Sequence, residues 1–166
     1  MKIKYKDLHR VTSTAIIYKD DKYLIAKRNS KIKAFPDKWL VPGGGLEVGD
    51  YINTPKTTND HWYYGLENSL RREIEEVNLE VGDIKYLLDL IFIKSDGIPV
   101  LILSWYCPYK SGEVKLDGKE LVDYKWVTYE EAKNYDLVEG MLEEIEMVDK
   151  ILKGKKESEV KFNLQR

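Results

Sequence analysis

The sequence predicts an α/β fold in which helices pack on a mixed β-sheet. Three observations carry this. Strand-like runs fill the first forty residues and recur between residues 84 and 127. One amphipathic helix interrupts them, with Leu66, Leu70, Ile74 and Val77 forming an apolar stripe. A second helix follows the last strand. Runs of strands broken by single helices favour a mixed sandwich over regular βαβ winding.

The elements follow in order. Thr12 to Tyr18 and Tyr23 to Arg28 are rich in residues that suit a pleated surface, and Lys19-Asp20-Asp21-Lys22 between them is a polar turn, so the pair reads as a hairpin. Asn29 to Lys38, with Pro36, is a loop. Trp39-Leu40-Val41 is a short apolar run that stops at Pro42-Gly43-Gly44-Gly45. Residues 51–65 hold Pro55, a Thr pair and the cluster His61-Trp62-Tyr63-Tyr64, and read as an insertion loop. The striped helix comes next, its spacings of four, four and three matching one face of a 3.6-residue period. Asn78 then ends it, because Asn tolerates the left-handed conformation.

Ile84 to Ile93 and Ile98 to Tyr106 read as strands joined at Asp96-Gly97, a strong hairpin signal. Gly112 to Leu116 and Leu121 to Val127 read as further strands, and Tyr129 to Asn134 as a short helix. Glu139 to Leu152 carries Met141, Ile145, Val148 and Leu152 at helical spacing. From Lys153 the chain is charged and reads as a tail or a late strand. Without a repeat or a dividing linker, residues 1–166 read as one domain.

Composition narrows the function. Of the 166 residues, 43% are hydrophobic and 34% charged, an ordinary globular balance. A formal charge of -2 argues against a nucleic-acid polymer as partner, since polyanions select a clear basic face. A nucleotide, needing only a local site, remains compatible. Cys107 is the sole cysteine, which excludes an internal disulfide and a cysteine-based zinc site. The polar start, Met1 to Asp7, carries no secretory h-region, and the longest apolar run is too short to span a bilayer. The expectation is a cytoplasmic protein without a membrane partner.

The chemistry concentrates in two segments. Gly44-Gly45-Leu46-Glu47-Val48-Gly49-Asp50 is a glycine-rich turn ending in an acid. Leu70-Arg71-Arg72-Glu73-Ile74-Glu75-Glu76-Val77-Asn78-Leu79 is a helix with three glutamates in four positions. Glu73 and Glu76 share a helix face at a spacing of three. Mg²⁺ is a hard ion that takes carboxylate oxygens and water, and it can neutralise a diphosphate while activating a water. The glycines permit a sharp turn and close backbone approach.

These segments, in this order and after Trp39-Leu40-Val41-Pro42, resemble the Nudix family, whose signature is G-x5-E-x7-R-E-U-x-E-E-x-G-U with U a bulky apolar residue. The acid-rich loop Leu116-Asp117-Gly118-Lys119-Glu120 extends the resemblance, which spans roughly residues 12 to 152. It implies an α/β/α sandwich around a mixed sheet and a metal-dependent hydrolase, using Mg²⁺ (or Mn²⁺), that cuts a phosphoanhydride bond in a nucleoside-diphosphate-linked substrate. Glu73, Glu75, Glu76 and Asp50 are then the candidate metal ligands. Glu73, Glu76 and Glu120 are the candidate catalytic groups. Arg28, Trp39, Gly44, Gly45 and Trp62 are candidates for the substrate side, with Arg72 and Asn78 structural. Only the family resemblance speaks for a homodimer.

Three departures stand out. Asp50 replaces the signature's Glu, shortening its reach. Residues 51–71 place 21 residues where the signature has seven, about fourteen extra, a change that loop-closure entropy tolerates. One helix residue is also missing, and a one-residue deletion rotates the remainder of a helix by about 100°. Anchored on Arg72, the carboxylate pair is Glu73 and Glu76, with Val77 in place of the last acid. Anchored on Asn78, the pair is Glu75 and Glu76. The unbroken apolar stripe favours the first.

Rival readings stay in view. The Trp62 cluster could stack on a base or pin the insertion, and pinning is the stronger reading. Glu120 and Arg28 each have a plain surface reading. The incomplete acid set also fits a weakly active or inactive nucleotide-binding module.

Overall fold

The first expected hairpin is present. In the computed structural model, which describes residues 6–163, β1 (Arg10–Lys19) turns into β2 (Lys22–Arg28) with Asp20 at a φ of 55°. Two short strands follow, β3 (Trp39–Leu40) and β4 (Gly43–Gly45). Then come α1 (Gly49–Ile52), α2 (Gly65–Glu76) and β5 (Leu79–Val81). The second hairpin is β6 (Lys85–Ile93) with β7 (Pro99–Gly112). The chain continues through β8 (Leu121–Val127), α3 (Tyr129–Ala132) and α4 (Met141–Leu152) to a 3₁₀ turn, Glu157–Glu159.

The sheet is mixed because β1 and β7 pair in parallel, from Arg10↔Val100 to Tyr18↔Pro108, while the other strand pairings are antiparallel. β7 has β1 on one side and β6 and β5 on the other. The second edge of β1 is shared between β4 and the start of β2. This leaves Gly43 to Gly45 hydrogen-bonded beside Thr12 to Thr14.

Side chains alternate along β1 and feed two cores. Ile16 packs with Tyr23, Ile25, Tyr106, Ile145 and Val148 beneath α4. Ala15 and Ile17 pack with Leu24, Leu70, Ile74 and Cys107 beneath α2. The architecture is thus the helix-sheet-helix sandwich that the sequence predicts. The stripe expected on α2 is the face it buries, with Leu70 and Ile74 at 1% exposure or less. Burying such a side chain contributes about 2 kcal/mol each. Asn78, at a φ of 63°, ends that helix as expected, and its Nδ2 donates to the Glu113 carbonyl at 2.8 Å.

Two expectations differ from the structure, and one strand was not expected. The strand expected over residues 112–116 is absent, because β7 itself runs to Gly112 and turns there at a φ of 101°. A Cβ at Gly112 would lie 2.2 Å from the Asn78 carbonyl oxygen, so only glycine permits that close crossing. β5, three residues long, carries no readable strand pattern in the sequence. The charged C-terminal segment forms no strand among its described residues. It docks instead: the Tyr106 hydroxyl donates to Glu157 at 2.5 Å and Val160 is buried. Residues 164–166 of that segment lie outside the described residues. No helix among the described residues is long and apolar enough to cross a membrane.

Candidate active site

A cleft of about 370 Å³ opens where the Gly43–Gly45 strand, the end of α2 and the loop before β8 meet. Five acids line it: Glu47, Glu73, Glu76, Asp117 and Glu120. Arg28 and Arg72 are the cations on its wall.

Arg72 is the organising side chain. Its Nε donates to Asp50 Oδ1 at 2.5 Å, and its Nη1 to Glu73 Oε1 at 2.7 Å and Glu76 Oε1 at 2.9 Å. Its Nη2 reaches the Gly45 carbonyl at 3.2 Å. A guanidinium suits this task because its planar fork serves several acceptors at once. The 21 residues between Asp50 and Arg72 therefore leave the two halves of the signature in contact. Asp50 Oδ2 also accepts the Glu47 backbone N–H at 2.8 Å. The Arg72 hydrogen bond, more than any other contact, lowers the Asp50 carboxyl to about 2.

Glu73 is half-buried and Glu76 exposed. Burial raises the Glu73 carboxyl above the usual range, against the opposing pull of Arg72. Gly44 explains how Glu73 fits: a Cβ there would lie 2.1 Å from Glu73 Oε1. Any side chain at that position displaces the carboxylate. Gly43 is equally constrained, 2.3 Å from the Ser13 carbonyl oxygen by the same measure.

Arg28 comes from the end of β2. Its Nε donates to the Ala34 carbonyl at 3.2 Å and its Nη1 lies 3.5 Å from Glu120. Asp117 Oδ1 accepts the backbone N–H groups of Lys119 and Glu120 at 3.0 and 3.1 Å, which fixes the loop that presents Glu120.

The structure thus brings Glu73, Glu76, Glu120, Arg28, Gly44 and Gly45 to one cleft, with Arg72 bonded to Glu73, Glu76 and the Gly45 carbonyl. The helix runs unbroken through Glu76, and Val77 lines the cleft as well. This is the arrangement anchored on Arg72.

Other expected residues lie elsewhere. Glu75 faces a second groove with Arg71, Glu80 and Lys110, about 100° around the helix from Glu76. Asp50 sits behind the cleft wall with its carboxylate committed to Arg72, its side chain 3% exposed. Trp39 is a core residue packed edge-on against Tyr135, because β3 is bridged to Leu137 below α4. Trp62 packs on Tyr51 and donates its Nε1 to the Thr54 carbonyl at 3.0 Å, so it ties the insertion to itself. His61 joins that knot through Thr58. Glu47 and Asp117 line the cleft, although neither is among the residues the sequence nominates. Their one signal is position, inside the two acid-bearing turns.

A divalent ion fits this donor set chemically. Carboxylate oxygens are the hard donors Mg²⁺ prefers. Among the described residues, no three His, Cys, Asp or Glu side chains gather into a metal-binding group. Mg²⁺ usually takes one or two carboxylates and completes its shell with water and substrate phosphate.

Comparison with known proteins identifies the fold and family. No family model matches the chain. The nucleoside triphosphatase NudI of Escherichia coli strain K12 is 32% identical over 136 residues, covering 74% of this chain and 84% of its own. A NUDIX hydrolase from Alicyclobacillus acidocaldarius superposes with a TM-score of 0.70 at 13% identity, covering 96% of this chain and all of the other. The NUDIX domain of Shewanella oneidensis NrtR, complexed with ADP ribose, gives 0.67 at 18% identity over 90% of this chain and 94% of its own. The chain belongs to the Nudix hydrolase family, enzymes of pyrophosphate-bond hydrolysis.

Proposed function

We propose that this protein is a divalent-metal-dependent pyrophosphohydrolase of the cytoplasm, acting on a small nucleoside-diphosphate-linked substrate, with a nucleoside triphosphate the first to test. The observation that carries this reading is the convergence of Glu73, Glu76, Glu120 and Arg28 on one glycine-walled cleft. NudI, at 32% identity, is a nucleoside triphosphatase and supports the choice of substrate.

In this reading Glu73 and Glu76 hold Mg²⁺ or Mn²⁺. The ion, when bound, supplies positive charge against the diphosphate and acidifies water. Arg28 pairs with a phosphate oxygen, a role its fork geometry suits. Glu120 accepts a proton from the attacking water. The water oxygen bonds to phosphorus, the bridging P–O bond breaks, and its electron pair leaves with the departing phosphate. Gly44 and Gly45 keep the backbone close without a side chain in the way. Asp50, Glu75, Trp39 and Trp62 take no direct part, given where their side chains lie.

The test is release of phosphate, pyrophosphate or nucleoside monophosphate from a panel of nucleoside triphosphates and diphosphate-linked nucleotides. It is run with Mg²⁺, with Mn²⁺ and with chelator. Turnover that requires metal, and falls by about 10²-fold or more in Glu76→Gln, is expected. Full activity in chelator, or in Glu76→Gln, would refute the assignment. The second reading, nucleotide binding without turnover, is favoured by Val77 standing in place of an acid and by the NrtR domain holding ADP ribose. It predicts metal-dependent stabilisation by nucleotide with no product.

A further inference from the structure

We propose that Asn78 is a positioning residue for the reaction: its side-chain amide anchors the loop that carries Asp117 and Glu120 to the end of α2. This rests on the reading above, in which Glu120 accepts a proton from the attacking water, and names a residue that holds Glu120 to that task.

The helix end sets the problem. The last carbonyls of a helix find no partner within it. α2 stops at Glu76, and Asn78 follows in the left-handed conformation, at a φ of 63°. Glycine adopts that conformation more readily still. The turn by itself therefore does not account for an amide side chain at this position.

The amide has a use across the turn. Asn78 Nδ2 donates to the Glu113 carbonyl at 2.8 Å. One residue earlier, the Val77 carbonyl accepts the Lys115 N–H at 3.0 Å. The helix end thus donates in one bond and accepts in the other, and the pair clasps the backbone from Glu113 to Lys115. Leu116 and Asp117 come next in the chain, and both line the cleft. Asp117 Oδ1, through the Lys119 and Glu120 N–H groups, carries the order on to Glu120. From the other side the Asn29 N–H donates to the Glu120 carbonyl at 2.8 Å.

Residues 113–120 form no helix or strand, so these few bonds set their path. Val114 and Leu116 pack against the core beneath α2. Apolar contact is non-directional and fixes which side of the loop faces inward. Hydrogen bonds are directional and fix where along the helix end the loop sits. Asn78 therefore ties the loop that presents Glu120 to the helix that presents Glu76.

The experiment is a double-mutant cycle on hydrolysis of a nucleoside triphosphate with Mg²⁺, using wild type, Asn78→Gly, Glu120→Gln and the double variant. Glycine keeps the left-handed turn and removes the amide. Asn78→Gly should lower kcat about fivefold, the scale of one such hydrogen bond. In the Glu120→Gln background the same change should cost less than about twofold, because no base is left to misplace. Asn78→Asp keeps the size and the turn but offers no amide donor to the Glu113 carbonyl, and should lose at least as much as Asn78→Gly. Amide hydrogen exchange without nucleotide should quicken over residues 113–121 in Asn78→Gly and match wild type over α2. Wild-type kcat in Asn78→Gly overturns the proposal, as does unchanged exchange in the loop. An equal loss in both backgrounds also overturns it, since Asn78 would then act apart from Glu120. Wild-type turnover in Glu120→Gln fails the underlying reading and the proposal with it, a distinct result because Asn78 is intact in that protein.

Discussion

Two helices cover opposite faces of the same sheet, and each draws a glutamate out of water. On α2 it is Glu73, and on α4 it is Glu144, 3% exposed. Burial raises both carboxyls above their usual range. Their neighbours differ. Glu73 has the Arg72 guanidinium at 2.7 Å, bare glycine backbone against its carboxylate, and a cleft in front. Glu144 accepts a hydrogen bond from the Ser104 hydroxyl at 2.5 Å, and that hydroxyl lies 3.0 Å from Thr14 Oγ1. It lines no part of the cleft. A perturbed carboxyl alone therefore does not mark chemistry. A counter-charge that keeps it ionised and an opening through which a ligand reaches it are what separate the two.

The comparison breaks most severely at Arg72. Arg72→Met removes the partner of Asp50, Glu73 and Glu76 together and leaves Asp50 a buried, nearly unpaired charge. Loss of about 3 kcal/mol is expected, with turnover abolished. That corresponds to a melting temperature lower by about 10 °C in a chain of this size. The pH dependence has a definite sign. Asp50 is held at about 2, below its ordinary 3.8, so its contribution is present above the ordinary range and lost as pH falls through about 2. The gap between wild type and variant should therefore narrow in acid. A variant that melts like wild type at neutral pH would show that Arg72 does not hold the two segments together.

Gly44→Ala acts on one side only. The new Cβ would fall on the flexible end of Glu73, so the fold can give way by swinging that carboxylate aside. Stability should fall by less than about 1 kcal/mol. Turnover should fall by about 10²-fold, the usual consequence of misplacing a reacting group by about an ångström. Kinetics and melting measured on one preparation separate these effects. Equal losses in both would mean that Gly44 serves packing alone.

Some of this was legible in the sequence. The α2 stripe is a periodic signal, and periodicity survives without tertiary context. It also favours the helix register of Glu73 and Glu76, because the stripe runs without a break from Leu66 to Val77. Other features carry no local signal. Asp50 and Arg72 read as separated by a long insertion, and only folding shows that the insertion loops out and ties itself together through Tyr51, Thr54 and Trp62. Trp39 precedes the glycine turn and so reads as substrate-facing, whereas its bridge to Leu137 turns it into the core. Glu47 is a single exposed acid in a turn. It has no period, and its place on the cleft wall depends on a backbone path set by Asp50.

The smallest effect, and the sharpest contrast, belongs to Glu144→Gln. The folded protein raises Glu144 above its ordinary 4.5, so the native state holds that proton more tightly than the unfolded chain. Stability from this group is full below the ordinary range and declines as pH rises through the raised value. Glutamine removes the ionisation while keeping an acceptor for the Ser104 hydroxyl. The variant should therefore melt close to wild type near pH 4 and above it near pH 8, by a few degrees (about 1 kcal/mol or less), a scale set by one buried group. Turnover should be unaffected, where the same exchange at Glu73 abolishes it. Melting curves across that range decide the matter: a difference that stays flat with pH would show that Glu144 is not the ionising group. A loss of turnover would place the α4 face inside the reaction and remove the contrast between the two glutamates.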